Sequence, residues 1–259
     1  MQDAPTQSPS VTRAGPDNGV VTLTLSRPAS RNALSLDMLG NLISELEALS
    51  IDDNVKAIIL AADGPVFCAG HDLRELTAHR EDADRGRAFY ELTMKTCAKM
   101  MLSIVRSPTP VIAAVQGTAT AAGCQLVATC DLAVAADTAK FCTPGVNIGL
   151  FCSTPMVALS RNVSRKRAME MLLLGELVSA EDAAAYGLIN RAVKPDAVMT
   201  EARGMAEAIA SKSSATVAIG KRAFYDQLER TLDSAYDFAA DVMTRNMMER
   251  DAAEGIGAF

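Results

Sequence analysis

The sequence predicts an α/β fold closed by a helical C-terminal region, and three observations carry that prediction. The unbroken, β-branched apolar run Val111–Val115 and the stretch 56–62, apolar after Lys56, read as buried strands. Between them lie helical stripes: Leu36, Leu39, Leu42, Ile43, Leu46 and Leu49 share one face of a helix that begins at Ser35. From Pro195 onward the apolar spacing is helical only, over 197–210, 216–228 and 232–250.

Composition sets the frame. The 259 residues are 49% hydrophobic and 22% charged, enough for one substantial core with at most a small appendage. A net charge of −6 argues against a nucleic-acid surface, and no apolar run approaches the roughly 18 residues a membrane span needs. Residues 1–18 carry three prolines and no periodic apolar pattern, which predicts a mobile tail. With no basic start ahead of an apolar stretch, and with Asp3 and Asp17 unlike a transit peptide, a cytoplasmic protein is expected. The six cysteines form no Cys-x-x-Cys pair and read as reduced core residues; with only His71 and His79, neither a metal nor another cofactor is expected.

Along the chain, Val20–Leu25 alternates as a strand, and Asp63-Gly64-Pro65 turns the strand at 56–62 into a glycine-bearing loop. A charged, exposed segment over 74–87 precedes a long helix that carries Tyr90 and Met94. Val111–Val115 ends at Gln116-Gly117 and runs into Thr118-Ala119-Thr120-Ala121-Ala122-Gly123, where small side chains let a ligand approach the backbone. An apolar helix beginning near Ala122 would offer free N–H groups and a partial positive charge to a carbonyl placed there. Such a loop also serves simply to pack a helix on a strand. Farther on come a strand at 131–135, a Gly- and Pro-rich loop at 141–149 and helices at 154–161 and 165–174. Ser179-Ala180-Glu181-Asp182 has the form of an N-terminal cap, and Gly187 stands where a C-terminal cap belongs.

The loop at 118–123 has a counterpart in Gly64-Pro65-Val66-Phe67-Cys68-Ala69-Gly70-His71-Asp72-Leu73. With Arg27-Pro28, Asn32-Ala33-Leu34 and Gly187-Leu188-Ile189, the two stretches resemble the signature of the crotonase (enoyl-CoA hydratase/isomerase) superfamily. The resemblance spans about Val20 to Phe259. It implies a spiral of strand-strand-helix turns over 19–194, a helical oligomerisation region over 195–259, and trimers or dimers of trimers. It implies an acyl-CoA thioester as ligand, with the N–H groups of His71 and Ala122 forming an oxyanion hole around the thioester oxygen. It further places Arg27, Ala33, Ala69, Asp72, Leu73, Tyr90, Met94, Asn147, Lys221 and Phe259 around the bound thioester. Lys221 reads either as a solvated lysine or as a contact to a CoA phosphate.

One departure matters. The two glutamates with which a hydratase of this family adds water fall on Gln125 and Gly145 here. An amide exchanges no proton near neutral pH, and glycine has no side chain. Each positioned acid or base supplies about 10²–10⁴ in rate, so ordinary two-glutamate hydration is not expected. Gln125→Glu together with Gly145→Glu is expected to create it. Two readings stay open: an enzyme acting through a thioester enolate, and a non-catalytic acyl-CoA binding or regulatory protein.

Overall fold

The computed structural model describes residues 9–258. An antiparallel pair, β1 (Val11–Asp17) and β2 (Val20–Leu25), leads into α1 (Leu36–Leu49). The Ser35 hydroxyl accepts the N–H of Met38 at 3.2 Å and caps that helix, while Met38, Leu39, Leu42, Ile43, Leu46 and Leu49 are buried. The next turn comprises β3 (Ala57–Ala62), β4 (Val66–Cys68), α2 (Leu73–Ala78) and α3 (Arg87–Arg106). Then follow β5 (Val111–Val115), β6 (Thr118–Thr120) and α4 (Ala122–Thr129). A further turn holds β7 (Leu132–Ala136), β8 (Lys140–Cys142), α5 (Pro155–Asn162) and α6 (Arg165–Leu174). The chain continues through β9 (Val178–Ser179), α7 (Ala180–Tyr186) and β10 (Arg191–Val193).

The three turns from β3 to β8 each lay their first strand in one sheet and their second in another, which makes the path a spiral. The larger sheet runs β1-β2-β3-β5-β7-β10 and the smaller β4-β6-β8-β9. From β2 to β10 the larger sheet is parallel, so each neighbour requires a crossover, and the helices supply it. All five residues of β5 are buried, as its unbroken apolar run requires.

Two expectations about the ends change. Residues 11–17 are not a mobile tail, because β1 pairs with β2 from Val11↔Leu25 to Asp17↔Val20. Six of its seven residues are exposed, so the strand left no apolar signal; edge pairing of the backbone holds it. The part of that expectation covering residues 1–8 lies outside the described residues. At the other end, α8 (Val198–Ala210) belongs to the core, with Val198, Ala202, Ala206 and Ala210 buried against the larger sheet. The helices after it differ: α9 (Ser214–Gln227), α10 (Leu232–Met247) and α11 (Arg250–Ala258) have no buried apolar residue.

Lys221 is what fastens α9 to the core. Its side chain is 6% exposed and its ammonium donates to Asp131 Oδ2 at 2.7 Å and to the carbonyls of Ile104 and Thr109 at 2.9 and 3.1 Å. Asp131 also accepts the Tyr225 hydroxyl at 2.9 Å and the Val111 N–H at 2.8 Å. Lys221 is therefore neither solvated nor available to a phosphate: all three of its protons are spent inside the fold.

Candidate active site

The two glycine-bearing loops meet. Strands β4 and β6 pair in parallel, Val66↔Thr118 and Cys68↔Ala119, so the chain segments that leave them run side by side. The Thr120 hydroxyl donates to the Ala69 carbonyl at 3.0 Å and ties the segments together. Gly70, at φ +87°, has the left-handed conformation that glycine adopts freely; a Cβ there would lie 3.2 Å from the Ala122 nitrogen and 2.9 Å from the Ala121 Cβ. Gly123 lets α4 sit directly on β4, since a Cβ there would lie 2.2 Å from the Cys68 carbonyl oxygen.

Both loops then present bare N–H groups. Leu34 donates to the Gly70 carbonyl at 2.8 Å in an isolated parallel bridge with His71. In that geometry the carbonyl of residue 70 faces Leu34, and the N–H of His71 faces the opposite way. Ala122 is the first residue of α4, whose eight residues are all buried and whose start no side chain caps. Among the described residues neither the His71 nor the Ala122 N–H has an acceptor. Ala121, just ahead of the helix, has φ 49° and ψ −119°, a conformation costly for a residue with a Cβ.

The side chains nearby are short of partners too. Both ring nitrogens of His71 and Oε1 of Gln125 are buried with no hydrogen-bond partner. Burial pushes the His71 pKa below its ordinary value, against a smaller upward pull from the Leu34 backbone, so the imidazole is neutral at pH 7. Gln125 is 5% exposed. Gly145 is buried in a 3₁₀ turn, Pro144–Ile148.

The Enoyl-CoA hydratase/isomerase family model matches residues 15–259. The chain belongs to that family. Among its relatives, the mitochondrial enoyl-CoA hydratase domain-containing protein 3 of Rattus norvegicus is 47% identical over 98% of this chain and 83% of its own length. The same-named human protein is 47% identical over 97% of this chain and 81% of its own length. An enoyl-CoA hydratase of Mycobacterium smegmatis superposes with a TM-score of 0.92 at 51% identity, over 97% of this chain and 96% of that one. The crystal structure of human enoyl-CoA hydratase domain-containing protein 3 gives 0.91 at 46% identity, over 96% of each chain.

The expected cytoplasmic location does not stand, because the vertebrate relatives at 42–47% identity are named mitochondrial. The compartment depends on sorting signals, which composition and core do not encode. No helix among the described residues is long and apolar enough to cross a membrane.

In this enoyl-CoA hydratase/isomerase family chain, several expected binding residues are committed elsewhere. Asp72 caps α2, its Oδ1 accepting the N–H groups of Arg74 and Glu75 at 2.9 and 3.3 Å. Asn147 is exposed and directs its amide to the Gly175 carbonyl at 3.4 Å. The Tyr90 hydroxyl donates to the Leu76 carbonyl at 3.2 Å, which holds α2 against α3. Arg27 extends its guanidinium to the Pro9 carbonyl at 3.1 Å. Ala33 and Ala69 flank the two loops, with the Ala69 N–H on the Arg31 carbonyl at 3.0 Å. Leu73 and Met94 remain as candidate apolar contacts, Leu73 being exposed; Phe259 lies outside the described residues.

The sequence reading missed Asn32. Fully buried at φ 52°, it accepts the Arg27 N–H and donates to the carbonyls of Asp63 and Val66, each at 2.9 Å. It clips the Arg27 turn to the strand that feeds the first loop. The signal available was asparagine's tolerance of the left-handed region.

Proposed function

We propose that this protein binds an acyl-CoA thioester and stabilises the enolate formed at the carbon next to its carbonyl. In this reading the thioester oxygen accepts the N–H groups of His71 and Ala122, aided by the N-terminus of α4. The observation that carries it is the pair of unpartnered N–H groups on two contacting loops in a chain of the enoyl-CoA hydratase/isomerase family. One such donor is worth about 10²–10³ in turnover, because it meets charge that develops only in the transition state.

The reaction class is proton transfer without the two-glutamate machinery. Gln125 orients a hydroxyl or a water and moves no proton, and Gly145 contributes only backbone. Hydration of crotonyl-CoA should accordingly be slow or absent. The test is exchange of the α-proton of a panel of acyl-CoAs in heavy water, followed by mass spectrometry. Exchange that Ala122→Pro abolishes, in a folded variant, supports the reading; brisk hydration by the unmodified protein refutes it. The substitutions at 125 and 145 favour one second reading, a non-catalytic acyl-CoA binding protein. Binding with no exchange would select it.

Assembly belongs to the same reading. Helices α9, α10 and α11 bury no apolar residue and expose Phe224, Leu232, Tyr236, Met243, Met247 and Ile256, an apolar content that suits a trimer or a dimer of trimers. A monomer in sedimentation at micromolar concentration would remove this part.

A further inference from the structure

Gly145 is blocked by a thiol. A Cβ on Gly145 would lie 2.9 Å from Sγ of Cys152 and 2.7 Å from the carbonyl oxygen of Leu150, both closer than packed atoms approach. Its backbone is not left-handed, so the obstacle to a side chain is space and not conformation. Burial raises the Cys152 thiol pKa against a smaller lowering by the neighbouring Gly145 backbone, and the Leu150 N–H donates to the Gly145 carbonyl at 2.9 Å. Between Asn147 and Ser153, Cys152 is the one buried residue. The Leu150 N–H bond and the buried Cys152 side chain keep this otherwise exposed segment against Gly145.

We propose that Cys152 is a specificity-determining residue: its thiol fills the space through which a side chain at 145 would reach the acyl group, and so keeps hydration out of this site's repertoire. The inference rests on the acyl-CoA reading above. It changes what restoring the carboxylates should do. Gln125→Glu with Gly145→Glu places a carboxylate where sulfur and a carbonyl already sit, and the second glutamate is expelled from its working position. Removing the Cys152 side chain frees the sulfur's volume. It also removes the only buried side chain of the segment 147–153, which gives the Leu150 carbonyl room to move aside.

The experiment compares Gln125→Glu/Gly145→Glu with the same protein carrying Cys152→Gly, reading hydration of crotonyl-CoA by loss of the enoyl absorbance and affinity by calorimetry. The triple variant should exceed the double by about tenfold or more, within the range one positioned acid or base supplies. Equal rates in the two, or a folded, crotonyl-CoA-binding triple variant that gains nothing, would overturn the inference. Melting temperatures test the same contact without turnover. Gly145→Ala should lower the midpoint sharply, and adding Cys152→Gly should recover part of the loss; strictly additive losses would also overturn it. Failure of the functional reading looks different: no acyl-CoA binds the parent protein, whatever the Gly145 and Cys152 melts show.

Discussion

Gly123→Ala should separate the two loops, and its effect follows from one distance. The added Cβ would sit 2.2 Å from the Cys68 carbonyl oxygen and 2.8 Å from the Cys68 Cβ, against the roughly 3.5–4.0 Å of an ordinary contact. Gly123 is outside the left-handed region, so alanine is conformationally acceptable and helix propensity favours it. What remains is displacement: the start of α4 must back away from β4 by more than about 1 Å to reach ordinary contact. Overpacking of this kind costs about 1–3 kcal/mol of stability. Because Ala122 precedes Gly123 directly, its N–H moves with the helix, and a shift of about 1 Å in a catalytic group can cost on the order of 10²-fold in rate. The assay pairs a urea melt with the α-proton exchange rate. Gly220→Ala, in open space on α9, is the control and should leave exchange unchanged. If Gly123→Ala keeps the parent's exchange rate within about twofold, below the 10²-fold scale of a misplaced group, the N–H of Ala122 is not part of the site.

Three further outcomes follow from the same geometry. Ala121→Gly should stabilise the protein by about 1 kcal/mol in a urea melt, since relief of strain of about 1–3 kcal/mol exceeds glycine's entropic cost of about 0.5–1 kcal/mol. Lys221→Met strands the Asp131 carboxylate and should cost about 3–5 kcal/mol, while acyl-CoA affinity measured well below the melting temperature stays unchanged; weakened affinity would return Lys221 to the binding site. His71 has a folded-state pKa below the unfolded 6.5, so the unfolded chain binds more protons. Its stabilising contribution is complete above that value and is lost as pH falls through the folded pKa. His71→Gln should flatten the melting temperature's decline below pH 6.5, and an unchanged slope would rule the imidazole out as its cause.

The local patterns that the sequence determined are those in which one residue type has one cheap conformation. The unbroken run at Val111–Val115 became a central strand, Ser35 and Ser179 became N-caps, and Gly187 closes α7 at φ +87°. The positions of the His71 and Ala122 N–H groups came from the family resemblance of the two glycine-bearing loops, and among the described residues both lack an acceptor. What stayed illegible were properties of pairs distant in the chain. Lys221 looks solvated until Asp131, 90 residues away, is seen to neutralise it inside the fold. β1 carries no apolar pattern because backbone hydrogen bonds to β2 hold it. Gly145 marks an absent carboxylate in the sequence, whereas the structure fills the space beside it with the Cys152 sulfur. Only tertiary packing decides such questions, since space belongs to whichever atoms the fold brings there.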